Sequence, residues 1–245
     1  MLEVNRIYLG DCHELLKKID YADLIIADPP YKIDNTQAGG NSEFSKSIQN
    51  MNNEIKELGI TKDLGIEWCK EIPRLQKKIN CYIWCNKAQI IQYLDYFVKE
   101  LGCSYDIIIW HKTNAMPTYN NKYLTDKEYC LYFRKGGYCN PQNYYDAQTV
   151  WELPINIKDK KLYEHPTIKP SEMISAFIRN SSKEGDLIVD PFGGSGTTGE
   201  CAYFEKRDYI LFELTEEYWV KSNDRLKMAK GEIVIKPNQA QQSLF

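Results

Sequence analysis

The 245 residues contain no apolar run approaching the roughly 20 residues needed to cross a bilayer. Met1-Leu2-Glu3-Val4-Asn5-Arg6 also lacks the basic-then-apolar layout of a secretory signal. A membrane role is thereby set aside, and a cytoplasmic location is the expectation. Histidine is scarce: His13, His111 and His165 stand far apart with no ligand spacing, so no metal site is expected. Of the eight cysteines no two form C-x-x-C, and several sit in apolar runs such as residues 81–85. That pattern points to buried, reduced thiols rather than a disulfide framework. Positive charge is not in excess either, with 31 Lys and Arg against 34 Asp and Glu and a formal net charge of −3. The chain as a whole is therefore not drawn to polyanions.

Locally the balance reverses. Residues 110–137 carry Lys112, Lys122, Lys127, Arg134 and Lys135 against Asp126 and Glu128, and residues 155–170 carry Lys158, Lys160, Lys161 and Lys169 against Asp159 and Glu164. These stretches read either as a basic face for phosphate contacts or as ordinary solvated lysines. The length suits a single domain over 1–245 with a full hydrophobic core.

The most informative stretch is Asp190-Pro191-Phe192-Gly193-Gly194-Ser195-Gly196-Thr197-Thr198-Gly199. An apolar strand, Leu187-Ile188-Val189, precedes it, and a helix is expected over Glu200 to Phe204. Glycines at such a turn let the backbone approach a ligand, and the helix start offers unpaired N–H groups. A second strand, Tyr209 to Phe212, ends in Glu213, whose carboxylate suits ribose hydroxyls at this spacing. Gly194 to Gly199 also reads as G-x-G-x-x-G, the dinucleotide fingerprint. Too little chain follows it to finish a doubly wound sheet, so the other strands must lie upstream.

Upstream, Ile7 to Leu9 and Asp23 to Ala27 read as strands, the second delivering Asp28-Pro29-Pro30-Tyr31 at its carboxyl end. Between them His13 to Ile19 has helical periodicity. Residues 32–64 are polar and without period, and are read as a mobile loop. Ile66 to Leu75 has helical character, Cys81 to Cys85 is a buried strand, Ala88 to Leu101 is an amphipathic helix stopped by Gly102, and Tyr105 to Trp110 and Tyr129 to Arg134 are further strands. Residues 137–145 resemble neither helix nor linker. Pro170-Ser171 opens a helix with Met173, Ile174, Phe177 and Ile178 on one face, and Thr215 caps the last one. Open α/β sheets bind ligands at the carboxyl edge, so Asp11, Asp28, Asp190 and Glu213 are expected to converge there.

Three blocks in this order, Asp28-Pro29-Pro30-Tyr31, then His165-Pro166-Thr167-Ile168-Lys169-Pro170, then Asp190 to Thr198, resemble the β class of S-adenosylmethionine-dependent DNA amino-methyltransferases. Gly10-Asp11-Cys12, Trp110-His111-Lys112 and Glu128 to Phe133 add smaller matches, and the resemblance covers about residues 4–230. It implies an α/β fold: a circularly permuted, Rossmann-like methyltransferase sheet with helices on both faces, mostly parallel with one antiparallel strand. It implies S-adenosyl-L-methionine as cofactor and double-stranded DNA, with a target base rotated out of the helix, as partner. A homodimer is a further expectation. Target recognition is expected within residues 111–164 and the loop after Tyr31.

The same resemblance makes Asp28, Pro29, Pro30 and Tyr31 catalytic. It sets Asp190, Phe192, Gly194, Ser195 and Gly196 around the methionine and ribose of the cofactor, Glu213 on the ribose, and Thr167 and Lys169 toward the methionine carboxylate. His165 either contacts the cofactor or shapes its turn. Asp11 either accepts from the cofactor's adenine amine or caps a helix. An exocyclic amine is a poor nucleophile because its lone pair is delocalised into the ring. Acceptance of its hydrogens by the Asp28 carboxylate and the Pro29 carbonyl would localise that pair, and Tyr31 offers the base a ring face. No Pro-Cys dipeptide is present to supply the nucleophile of a ring-carbon methyltransferase. Aspartate at the first tetrapeptide position favours adenine N6; cytosine N4 and a catalytically silent DNA-binding module are the alternatives. A dinucleotide oxidoreductase would leave Asp28 to Tyr31 without a role.

Overall fold

The computed structural model describes residues 2–31, 64–115, 123–156 and 168–233. Eight short runs form strands: β1 (Arg6–Leu9), β2 (Leu24–Ala27), β3 (Ile79–Cys85), β4 (Ser104–Lys112), β5 (Lys127–Lys135), β6 (Val150–Leu153), β7 (Leu187–Asp190) and β8 (Asp208–Glu213). β2, β3 and β7 are buried at every position. Such uniform burial is the mark of strands covered on both faces.

The sheet order is β1-β8-β7-β2-β3-β5-β4-β6. β5 runs antiparallel to both neighbours, while every other pairing is parallel. The single antiparallel strand expected for the permuted methyltransferase sheet is thus present. Permutation is visible at the centre, where β7 from late in the chain lies beside β2 from early in it.

Helices cover both faces. On one side lie α1 (Cys12–Leu16), a 3-10 turn (Glu67–Glu71), α2 (Ile72–Leu75) and α3 (Ile90–Leu94), whose buried residues join Trp68, Ile83, Phe97 and Phe133 in one core. On the other lie α4 (Ser171–Ser181), α5 (Thr197–Phe204) and α6 (Glu216–Ala229), packed on Ile26, Trp84, Ile188 and Leu211. α4 buries Met173, Ile174, Phe177 and Ile178, as its periodicity requires. Each such side chain contributes about 1.5–3 kcal/mol by leaving water. Phe177 stacks on Tyr82 at 4.2 Å, and Tyr82 on Tyr132 at 4.2 Å. That stack seats α4 on the sheet and fixes where Lys169 and Pro170, just before the helix, stand.

Several elements differ from expectation. α1 stops at Leu16 rather than Ile19, with its chain turning at Lys17. Ile66 to Leu75 divides into a 3-10 turn and one turn of α-helix, with Pro73 in the first turn of α2. After α3 the chain widens into a π-helical segment, Asp95–Glu100, before Gly102 turns it with φ +69°. β6, at the sheet edge, forms where no strand was expected. α5 starts at Thr197, three residues before its expected start. Thr215 holds the N-cap position of α6, but its side chain makes no cap hydrogen bond. The loop expected at 32–64 lies, save Leu64, outside the described residues, as do His165, Thr167, Lys122 and the lysines at 158, 160 and 161.

Candidate active site

Neighbouring parallel strands whose chains leave in opposite senses open a crevice at their carboxyl ends. Here that point is the β2–β7 junction. A cavity of about 460 Å³ lies there, lined by Asp28 to Tyr31 after β2 and by Asp190 to Ser195 after β7. Gly10 to His13 after β1 and Glu213 to Thr215 after β8 complete it. Asp11, Asp28, Asp190 and Glu213 therefore do converge at one sheet edge.

The glycine turn is held from beneath. Gly193 N donates to Phe212 O at 2.6 Å, and a Cβ at Gly193 would stand 3.1 Å from that oxygen. Gly196 adopts φ +79°, and a Cβ there would meet Ser222 Cβ at 3.0 Å. Only glycine satisfies both demands at Gly196. Asp190 accepts from Phe192 N (2.9 Å) and Thr198 Oγ1 (2.6 Å), so its carboxylate ties the two ends of the turn together. Burial lifts its pKa to about 7, even though these hydrogen bonds favour the charged form. Glu213 accepts from Gly194 N (2.8 Å) and Thr215 N (2.9 Å), one to each oxygen. Burial raises its pKa as well. Each of its oxygens keeps a second lone pair for a ligand hydroxyl.

Arg225 on α6 was not anticipated. Its side chain is 1% exposed and pairs with Glu200 Oε2 at 2.5 Å. It also donates to Thr197 Oγ1 at 2.8 Å and reaches Ser195 O and Oγ at 3.4 Å. One guanidinium thus fastens the glycine turn and the first turn of α5 to α6.

At the tetrapeptide, Gln89 Nε2 donates to Pro30 O at 3.1 Å and steadies the backbone. Asp28, its side chain 26% exposed, accepts from Lys169 Nζ at 2.6 Å. The ammonium lies 5.2 Å from the ring centroids of both Tyr31 and Trp84. Burial raises the pKa of Asp28, with Lys169 acting against it. The Lys169 ammonium stays charged because its two carboxylate neighbours outweigh the cost of burial. Lys169, expected toward a methionine carboxylate, is thus found on Asp28 and Glu128 while still lining the cavity.

Asp11 is the N-cap of α1, its Oδ1 accepting from His13 N at 2.8 Å, which realises the capping alternative while leaving its residue on the cavity wall. Asp11, Cys12 and His13 are the only three His, Cys, Asp or Glu side chains among the described residues whose possible metal-ligand atoms all gather within 4.8 Å, and that gathering follows from the cap itself. The described cations of the basic stretch at 112–135 are spread along β4 and β5. Lys112 is spent on Glu128 at 2.5 Å. Lys127 and Arg134 lie at opposite ends of β5, about 23 Å apart at 3.3 Å per residue. Glu128, known from sequence only as part of a charge balance and a matching block, is drawn into the site by contacts with Tyr31 and Lys169.

A net negative cavity with four carboxylates and one ammonium fits a cationic ligand bearing ribose hydroxyls. The family model N6_N4_Mtase, described as DNA methylase, matches residues 22–224. The type II methyltransferase M.HinfI of Haemophilus influenzae is 30% identical over 260 residues, covering 93% of this chain and 69% of that protein. The DNA adenine methyltransferase YhdJ of Escherichia coli is 28% identical over 263 residues, covering 93% and 84%. The crystal structure of the M1.HpyAVI–SAM complex superposes with a TM-score of 0.65 at 25% identity, over 90% of this chain and 98% of that one. With its sheet order, its cavity and a family match spanning most of its length, the chain belongs to the DNA methylase family.

Proposed function

We propose that this protein transfers a methyl group to the exocyclic N6 of adenine in double-stranded DNA, with S-adenosylmethionine as donor. The observation that carries the reading is the Asp28 carboxylate, set at the carboxyl end of β2 on the wall of the cavity that also holds Asp190 and Glu213. When bound, S-adenosylmethionine supplies an electrophilic methyl on a sulfonium. Glu213 suits the ribose hydroxyls, Asp190 and the turn from Phe192 to Gly196 suit the methionine and ribose portions, and Trp68 braces the Phe192 ring edge-on at 5.1 Å. Asp28 and the Pro29 carbonyl each accept a hydrogen bond from the target amine. The nitrogen is drawn toward tetrahedral geometry and its lone pair becomes available. As the S–CH3 bond breaks and the N–CH3 bond forms, negative charge on Asp28 would stabilise the cation forming on nitrogen until one N–H proton leaves to solvent, and preorganised charge of this kind is worth a few kcal/mol. Tyr31, on the cavity wall, supplies an aromatic face to a base that has left the stack. Aspartate at the head of the tetrapeptide and the likeness to the DNA adenine methyltransferase YhdJ both favour adenine.

The test is product identity. The purified chain is incubated with methyl-labelled S-adenosylmethionine and genomic DNA from a host lacking its own methyltransferases, and the DNA is digested to nucleosides. Label in N6-methyladenine is expected. Label in N4-methylcytosine would overturn the base assignment, and absence of label would overturn the reading as an active enzyme.

A further inference from the structure

Glu128 stands on β5 with its side chain 17% exposed, and its two oxygens have different work. Oε1 accepts from Lys112 Nζ at 2.5 Å. Oε2 faces both Lys169 Nζ at 3.2 Å and the Tyr31 hydroxyl at 3.3 Å. The ammonium that engages Asp28 and the hydroxyl of the tetrapeptide thus converge on one carboxylate oxygen. Strand alternation explains the meeting: Glu128, Cys130 and Tyr132 share the α4 side of the sheet with Trp84, Trp110 and Ile26.

Any amine that donates to Asp28 Oδ2 competes with Lys169 for that oxygen. A buried ammonium cannot simply be released, because an unpaired charge in this setting is costly. Glu128 offers the second berth. A shift of about half an ångström in Nζ brings the 3.2 Å contact to the length of an ordinary charge-assisted hydrogen bond. Lys112, 15% exposed, keeps Glu128 compensated throughout.

We propose that Glu128 is a positioning residue for methyl transfer: Lys169 stands in for the substrate amine on Asp28, and Glu128 receives it when the amine arrives. The proposal rests on the reading of Asp28 as the amine acceptor. The charges facing Asp28 agree with it. Burial opposes ionisation of Glu128, but Lys169 and Lys112 overcome it and hold the carboxyl at about 2, so it stays anionic. That anion adds to burial in raising Asp28, while Lys169 and the Tyr31 hydroxyl lower it. The remaining titratable neighbours, the thiols of Cys85 and Cys130 and the carboxyl of Asp190, also face Asp28.

The test compares Glu128→Gln, Glu128→Asp and Asp28→Asn with the unaltered chain, using genomic DNA substrate and S-adenosylmethionine. Glu128→Gln is expected to lower kcat about tenfold to a hundredfold, the scale of a misplaced reacting group, with cofactor Kd changed less than about threefold. The acid limb of its kcat–pH profile should move to lower pH, because the anion that raises Asp28 is gone. Glu128→Asp keeps the charge and should keep the limb near its original position with part of the rate. An unmoved or oppositely moved limb in Glu128→Gln, a kcat within twofold of the parent, or loss of cofactor binding would each overturn the assignment. If Asp28→Asn retains full transfer, the underlying reading of Asp28 fails instead.

Discussion

Arg225→Met isolates the clamp under the glycine turn. Methionine keeps an apolar stem in the space that Arg225 fills, but removes the fork that pairs with Glu200 and holds Thr197 and Ser195. Breaking a buried ion pair from one side costs about 3–5 kcal/mol. Glu200 is 18% exposed and sits in the first turn of α5, where the helix dipole favours an anion, so the low end applies. At 2–4 °C per kcal/mol for a chain of this size, about 3 kcal/mol lowers Tm by roughly 6–12 °C. Glu200→Gln combined with Arg225→Met should recover more than half of that drop, because no stranded carboxylate is left. Scanning calorimetry on the four members of the cycle measures it, and titration with S-adenosylmethionine reads the consequence at the turn. There a loss of about 1.4 kcal/mol appears as tenfold weaker binding. A Tm shift under 2 °C, or a double variant as unstable as the single one, would refute the clamp.

Other perturbations reach the same cavity. Gly196→Ala forces an L side chain into φ +79° and against Ser222; about 1–2 kcal/mol of backbone strain plus the clash should lower Tm by several degrees, read by calorimetry, and weaken cofactor binding. Asp190, held near 7 by burial against 3.8 for an ordinary carboxyl, binds its proton more tightly folded than unfolded. The cofactor-free protein should therefore lose stability as pH rises from about 4 through 7, with Asp28 and Glu213 acting in the same direction. Affinity for the cationic cofactor should rise over pH 6–7.5 as Asp190 ionises, and Asp190→Asn should flatten that slope in titration calorimetry. Glu128→Gln supplies the shift of the acid limb described above.

Much of this site was legible because its signals are local. The glycine turn needs φ and clearance that only glycine supplies, and the three apolar residues 187–189 before it and Glu213 at the end of β8 set its frame. The convergence of four acids followed from strand direction alone. What escaped depends on partners distant in sequence. β6 has four residues, too few to display a period, and exists by pairing with β4 about 40 residues earlier. Glu128 meets Tyr31 across 97 positions, and Arg225 meets Ser195 across 30. Lys112 was counted with a basic face and Lys169 was also set toward a methionine carboxylate, yet partly buried carboxylates hold both. α1 and the 66–75 segment were apolar enough to read as longer helices, but the first ends at Leu16 and the second divides into a 3-10 turn and one turn of α-helix.

Asp28→Ala bears most directly on the account. Removing the carboxylate leaves Lys169 beside Glu128, so no buried ammonium is stranded, and leaves the turn from Asp190 to Gly196 and Glu213 untouched. Titration with S-adenosylmethionine should give a Kd within about threefold of the parent, while labelled-methyl transfer to DNA falls by about a hundredfold or more. Transfer near the parental rate would remove Asp28 from the chemistry, and loss of cofactor binding would make it part of the cofactor pocket instead.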